Sequence, residues 1–230
     1  RDRRAAAEAV PRTFDERPAI GDTVATNLGL FFEAIDGAVL EGDTLRVDQI
    51  LQSARINPSP SQMDYVLDSE QRNALRTASR AATLEIIPRG MADPAEASGV
   101  TTDVIYVRTI AGDNVIERTR PLTEVITSRD FYAQAVLYLP PGSPPDAQDL
   151  LRLVLISHLQ FSLTPNVTAT ESAREAARNS VPLTKADVLR GEAIVRAADP
   201  IGPETLERLQ AYESALRDAD LLESEEPVAV

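Results

Sequence analysis

The 230-residue sequence has no cysteine, no tryptophan and a single histidine, His158. Without cysteine there is no disulfide scaffold, no thiol catalysis and no cysteine-based zinc site, although this assigns no compartment. Aromatic residues make up only 4%, and the ten glycines never fall into a GxGxxG or phosphate-loop spacing. Positive charge is scarce, with 23 Lys+Arg against 36 Asp+Glu and a net charge of −13. That balance disfavours nucleic-acid binding, which draws most of its affinity from clustered Lys and Arg. Long hydrophobic runs are missing too. The most apolar stretch, 150–159, is broken by Arg152 and His158 and falls short of the roughly 20 residues a bilayer needs, so no transmembrane span is expected. The opening Arg1-Asp2-Arg3-Arg4 has neither an initiator Met nor a signal peptide and reads as an internal boundary of a longer protein.

What is present is a chain with 43% hydrophobic residues, too many for disorder and enough for a real core in one domain, or one domain carrying an insertion. An Ala-rich helix end closes at Val10-Pro11, and a polar stretch follows over 15–18. Val24, Leu28, Phe31, Phe32, Ile35 and Val39 recur at three and four, which predicts a helix from about residue 22. Asp43 is an N-cap type for a second helix, Asn57-Pro58-Ser59-Pro60 a break, and 69–87 a long helix. Residues 88–99 read as a loop. The period then changes to two, and Gly112-Asp113-Asn114 supplies the turn of a hairpin spanning 104–119. Helices are expected over 128–139, 146–161, 169–180 (with Thr168 and Glu171 as a capping box) and from Pro203 onward, with an extended segment at 188–197 and a loose acidic tail at 223–230. The fold class is α+β: helix-rich, one domain over 1–222, with terminal units 1–20 and 165–222 packed together around inserted helices and a small antiparallel hairpin sheet at 21–164.

An internal echo accompanies this layout. At an offset of 171, Arg3, Ala5, Ala6, Val10, Pro11 and Thr13 match Arg174, Ala176, Ala177, Val181, Pro182 and Thr184. Either two Ala-rich helices coincide, or two similar helix-to-strand units stand at the chain ends and bring the termini close.

Catalytic constellations are hard to find. His158 is either a packed or edge histidine or a ligand or proton carrier; carboxylate pairs such as Asp146/Asp149 are expected by chance in an acidic chain. Asn166-Val167-Thr168 fits a glycosylation sequon but overlaps a helix start and reads as capping. Arg174, Arg190 and Arg196 are surface or ion-paired arginines, or binders of an anionic ligand. Phe31 and Phe32 are core, or a contact face. No catalytic, cofactor or metal site is assigned.

The C-terminal third carries a recognisable order of motifs. Pro165-Asn166-Val167 is followed by Thr170-Glu171-Ser172-Ala173-Arg174-Glu175-Ala176-Ala177-Arg178, the exit Ser180-Val181-Pro182, then Gly191-Glu192-Ala193-Ile194-Val195-Arg196 and Ile201-Gly202-Pro203-Glu204. This order resembles the extracytoplasmic domain of bacterial seven-transmembrane receptors with a cytoplasmic HD hydrolase domain. Arg3-Arg4-Ala5-Ala6-Ala7-Glu8-Ala9-Val10-Pro11 is similar to the segment after that family's first membrane span. Ala197-Ala198-Asp199-Pro200 departs from the usual glycine-acidic turn.

The resemblance implies a non-catalytic sensory or ligand-recognition domain outside the cytoplasmic membrane, in the periplasm or the extracellular space. Its parent would be a metal-dependent HD phosphodiesterase that degrades cyclic di-AMP, regulated through the membrane helices. The implied partners are an unknown small ligand or a periplasmic or cell-surface protein, together with the parent's membrane helices; a homodimer is the alternative, as an interaction module. The motif residues take folding roles: Arg174 with Glu192 as a structural ion pair, Glu175 in the helix, Val181 and Pro182 at its exit, Gly191 at a tight turn or bulge entering a strand, Ile194 and Val195 in that strand, and Pro203 in a first helical turn.

Overall fold

The computed structural model describes residues 2–112, 114–181, 193–196 and 200–218. The chain divides into two units, Arg1–Val181 and Pro182–Val230. In the first, helix α1 (Asp2–Glu8) leads past Pro11 into strand β1 (Thr13–Glu16). The polar residues at 15–16 thus belong to a strand, which sequence periodicity does not reveal because Phe14 is its only large apolar side chain. Helix α2 (Ile20–Leu40) follows, starting slightly earlier than expected. Gly42, at φ +71°, turns the chain, and the Asp43 carboxylate accepts from Arg46 N at 2.9 Å to start α3 (Thr44–Ser53).

The expected break at 57–60 is shorter than its two prolines suggest. Ser59 and Gln62 form a capping box, and Pro60 occupies the first turn of α4 (Pro60–Leu67), a position where a missing N–H costs nothing. Asp68 then caps α5 (Ser69–Ile86). The segment expected as a loop at 88–99 contains a 3-10 turn (Ile87–Arg89), strand β2 (Met91–Ala92) and short helix α6 (Pro94–Ser98) capped by Asp93. Strands β3 (Val104–Ala111) and β4 (Asn114–Pro121) form the expected hairpin. Strand β5 (Ile126–Thr127) pairs with β2, and Thr127 caps α7 (Ser128–Ala135), which ends in a 3-10 turn rather than continuing as α-helix to residue 139. Helix α8 (Pro145–His158), strand β6 (Leu163–Pro165) and helix α9 (Val167–Ser180) complete the unit. The cap of α9 is Asn166, whose Oδ1 accepts from Ala169 N at 2.8 Å, and not Thr168. The Asn side chain reaches the free amide first, so the helix begins two residues earlier than expected.

The sheet order is β4-β3-β1-β6. The hairpin is antiparallel as expected, but β1 joins β3 in parallel, with Phe14 opposite Val107, and β6 joins β1 antiparallel. The sheet is therefore mixed. It draws the two ends of the first unit together: Thr13 N donates to Thr170 Oγ1 at 3.0 Å, and Arg3 Nε donates to the Val181 carbonyl at 3.2 Å.

The main core lies among α2, α3, α4, α5, α7 and α8 and includes Val24, Leu28, Phe32, Ile35, Leu75, Ile86, Phe131 and Leu150. Each such side chain contributes about 1.5–3 kcal/mol of transfer free energy. Phe31 and Phe32 are core residues, packed edge-on at 5.3 Å. A smaller cluster of Phe14, Ala92, Ile105, Val107 and Leu163 backs the sheet. Among the described residues α2, not 150–159, is the helix long and apolar enough to cross a membrane, with 21 residues and mean hydropathy 1.3. Here its apolar face is packed in the core, and its Asp36 is committed to two arginines.

Those arginines are Arg72 and Arg76 of α5. Arg72 is buried; its Nε donates to Asp36 Oδ1 at 2.6 Å, and its Nη1 donates to the Val66 and Leu67 carbonyls at 2.7 and 3.0 Å. Arg76 also pairs with Asp36 and lies over the Phe32 ring. On the sheet, Glu16 accepts from Thr109 Oγ1 at 2.6 Å, Arg118 at 2.9 Å and Arg120 at 3.1 Å. Burial pushes both carboxyls up, but the hydrogen bonds and charges of these partners outweigh it and hold Asp36 and Glu16 below the ordinary carboxylate range. Their stabilisation is therefore complete above the unfolded-state values near 4 and is lost as pH falls through the lower folded-state values. Melting temperature is expected to fall as pH drops below about 4, and Asp36→Asn to flatten that fall. Thermal scans from pH 7 to 3 check this; an equal acid slope in the wild type and Asp36→Asn contradicts it, since relief of the overall negative charge acts on both alike.

The described part of the second unit comprises residues 193–196 and 200–218, the latter holding helix α10 (Pro203–Asp218), which carries Glu204 in its first turn and Arg217 in its last. Ile194 and Val195 sit in a bend, with Val195 37% exposed, and not in the expected strand. β-branched residues favour a strand only where a pleated neighbour packs against them.

Candidate functional site

His158, the one histidine, ends α8. Its Nδ1 lies 2.7 Å from Ser157 Oγ and 3.0 Å from the Val154 carbonyl, and its ring packs edge-on to Phe31 at 4.9 Å. It is a packed edge residue with its ring nitrogen engaged by its own helix. Among the described residues no group of three or more His, Asp or Glu side chains is placed to hold a metal ion.

The strongest chemical feature lies where α1 meets α9. An open cleft of about 850 Å³ is lined by Arg3, Arg4, Ala7, Glu8, Arg12, Gly99, Thr101, Arg174 and Arg178. Four segments converge on it. Helix α1 supplies Arg3 and Arg4, the Pro11 turn before β1 supplies Arg12, the end of α6 supplies Gly99, and α9 supplies Arg174 and Arg178. Gly99 makes room for a guanidinium: a Cβ there would stand 3.0 Å from Arg12 Nη1.

The arginines differ in how far their charge is met. Arg4 pairs with Glu8 at 2.7 Å on the open surface, and Arg12 with Glu96 at 3.3 Å. Arg174 Nη1 donates to Glu171 at 2.8 Å, while its Nε is buried without a hydrogen-bond partner. Arg3 spends its Nε on the Val181 carbonyl. Arg178, exposed at the end of α9, has no ion pair among the described residues. A second cleft, about 570 Å³, is lined by Ser128, Arg129, Tyr132, Ala133 and Arg152, with the Arg152 guanidinium 5.9 Å from the Tyr132 ring centre.

Of the residues singled out from the sequence, Arg174 lines the first cleft, Glu175 is exposed on the same helix, and Val181 caps α9 and holds Arg3. Pro203 opens α10. Pro182, Gly191, Glu192 and Arg190 lie outside the described residues, as do most of the expected strand at 188–197 and the tail at 223–230. Among the described residues Arg174 pairs with Glu171, one turn earlier on its own helix; the expected partner Glu192 lies outside them. Sequence reading missed Arg3, Arg12 and Arg178. The signal that could have found Arg3 is the internal echo, because Arg3 and its counterpart Arg174 line the same cleft from packed helices.

Comparison with known proteins adds one match. A family model described as 7TM-HD extracellular matches residues 1–215. No curated protein and no solved structure matches the chain.

Proposed function

The chain belongs to the family of extracellular domains of seven-transmembrane receptors with an HD domain, an extracytoplasmic part of a membrane protein, and from this premise we propose that it is the non-catalytic sensory domain of its receptor. In this reading it recognises a ligand outside the cytoplasmic membrane and biases a cytoplasmic metal-dependent HD phosphodiesterase, acting on a cyclic dinucleotide such as cyclic di-AMP, through the membrane helices. The observation that carries the reading is the extent of the family match, which takes in both α1 and α9 and so the whole wall of the arginine cleft. A ligand shifts such a receptor only by binding one conformation more tightly than the other.

The test compares the full receptor with one lacking residues 1–215, both in membranes, for cyclic-dinucleotide hydrolysis. Loss of regulation with hydrolysis retained supports the proposal. Equal rates and equal regulation in the two forms overturn it, as does hydrolysis by residues 1–230 alone.

A second reading, an assembly module, is favoured by the hairpin. Ile110 on β3 and Val115 and Ile116 on the edge strand β4 are at least half exposed near its tip. Sedimentation of the isolated chain distinguishes the two readings, because a monomer at high concentration removes the homodimer.

A further inference from the structure

We propose that the cleft between α1 and α9 binds a small polyanion, a ligand with two or more carboxylate or phosphate groups. The proposal rests on the sensory reading and supplies its ligand class. On a chain of net charge −13, five arginines line one cleft, with Glu8 as the only acidic lining residue among the described residues. Glu96 and Glu171 offset Arg12 and Arg174 from just outside. The remaining positive charge is self-repulsive until an anion enters, and like-charge crowding of this kind is what an oxyanion relieves.

The donors suit that role. Guanidinium groups present planar forks that match carboxylate and phosphate oxygens two at a time. Arg178 has no ion pair among the described residues, and Arg174, which lines the cleft, has a buried Nε without a hydrogen-bond partner. A buried charged N–H without an acceptor is costly and is rarely left so. The echo sharpens this point. Arg3 Nε donates to the Val181 carbonyl, but Arg174 Nε does not make the reciprocal bond to Val10, the residue that corresponds to Val181. The walls come from opposite ends of the unit, so a ligand with two anionic groups can address α1 and α9 together. Size is limited by the cleft volume of about 850 Å³, and the net charge of −13 opposes the approach of an extended polyanion.

The test is calorimetric titration of the 1–230 chain with citrate and with inorganic pyrophosphate, with acetate and chloride at matched ionic strength as controls. The expected result is saturable binding of at least one probe, weakened about tenfold or more by Arg178→Gln and by Arg12→Gln, as the loss of one charge-assisted hydrogen bond requires. Arg129→Gln, in the second cleft, is expected to leave binding unchanged. Citrate binding without pyrophosphate identifies a carboxylate ligand, and the converse a phosphate. Absence of saturable binding by both probes overturns the proposal. So does equal weakening by Arg129→Gln, or equal competition by chloride. Failure here leaves the receptor-deletion experiment standing as a separate test of the sensory role.

Discussion

Gly90→Ala is expected to destabilise the protein by about 2–4 kcal/mol and to lower its melting temperature by roughly 5–15 °C. Gly90 follows the 3-10 turn at φ +103°, in a region that L-residues adopt only under strain. An added Cβ would overlap Arg120 Nη1. Arg120 can swing away, because the clash is at the far end of its side chain, but it then leaves Glu16, whose side chain is only 9% exposed. A carboxylate with little access to water would keep Thr109 and Arg118 and lose one of its three partners. Gly42→Ala is the matched control. It has a positive φ of +71° with open space around the position, so it carries backbone strain alone, about 1 kcal/mol. The difference between the two midpoints in urea measures the steric displacement of Arg120. Equal midpoints contradict the account.

Asp36→Ala carries the second large effect, about 2–3 kcal/mol. Removing one partner of a buried ion pair typically costs 3–5 kcal/mol, because the surviving charge stays out of water. The value here is set lower for two reasons. Asp36 is 38% exposed, and Arg72 keeps its bonds to the Val66 and Leu67 carbonyls. Arg76 has solvent to turn to; Arg72, with a side chain 7% exposed, does not. The double variant Asp36→Ala with Arg72→Met is therefore expected to recover part of the loss, since an unpaired charge is replaced by a side chain of similar volume. Urea unfolding of the three proteins checks the order, and a double variant less stable than Asp36→Ala alone rules it out.

The contrast between these two sites also shows what could be read from the chain alone. The long helices were legible because their apolar spacing is local: Val24 through Val39 and Leu75 through Ile86 declare a buried face whatever packs on it. The hairpin was legible from its alternation and its Gly112 turn. Strands β1 and β6 were not. They are four and three residues long, and what makes them strands is their pairing with segments about 90 and 150 residues away. Helix α4 was hidden by Pro58 and Pro60, residues that break a helix from within and begin one from its first turn. The cleft was half legible. Arg174 stood in a motif and Arg3 in its echo, but Arg12 and Arg178 acquire meaning only when the ends of the unit meet.

That meeting has a kinetic side. The bonds from Thr13 to Thr170 and from Arg3 to Val181 close loops of 157 and 178 residues. Contacts so distant along the chain form late, after the intervening segments have collapsed into their own core. During synthesis the first helix must wait for the ninth, and the arginine pocket cannot exist before the chain has been made through Arg178. A receptor whose outer lobe captured anions through that pocket would remain silent until its own assembly was complete.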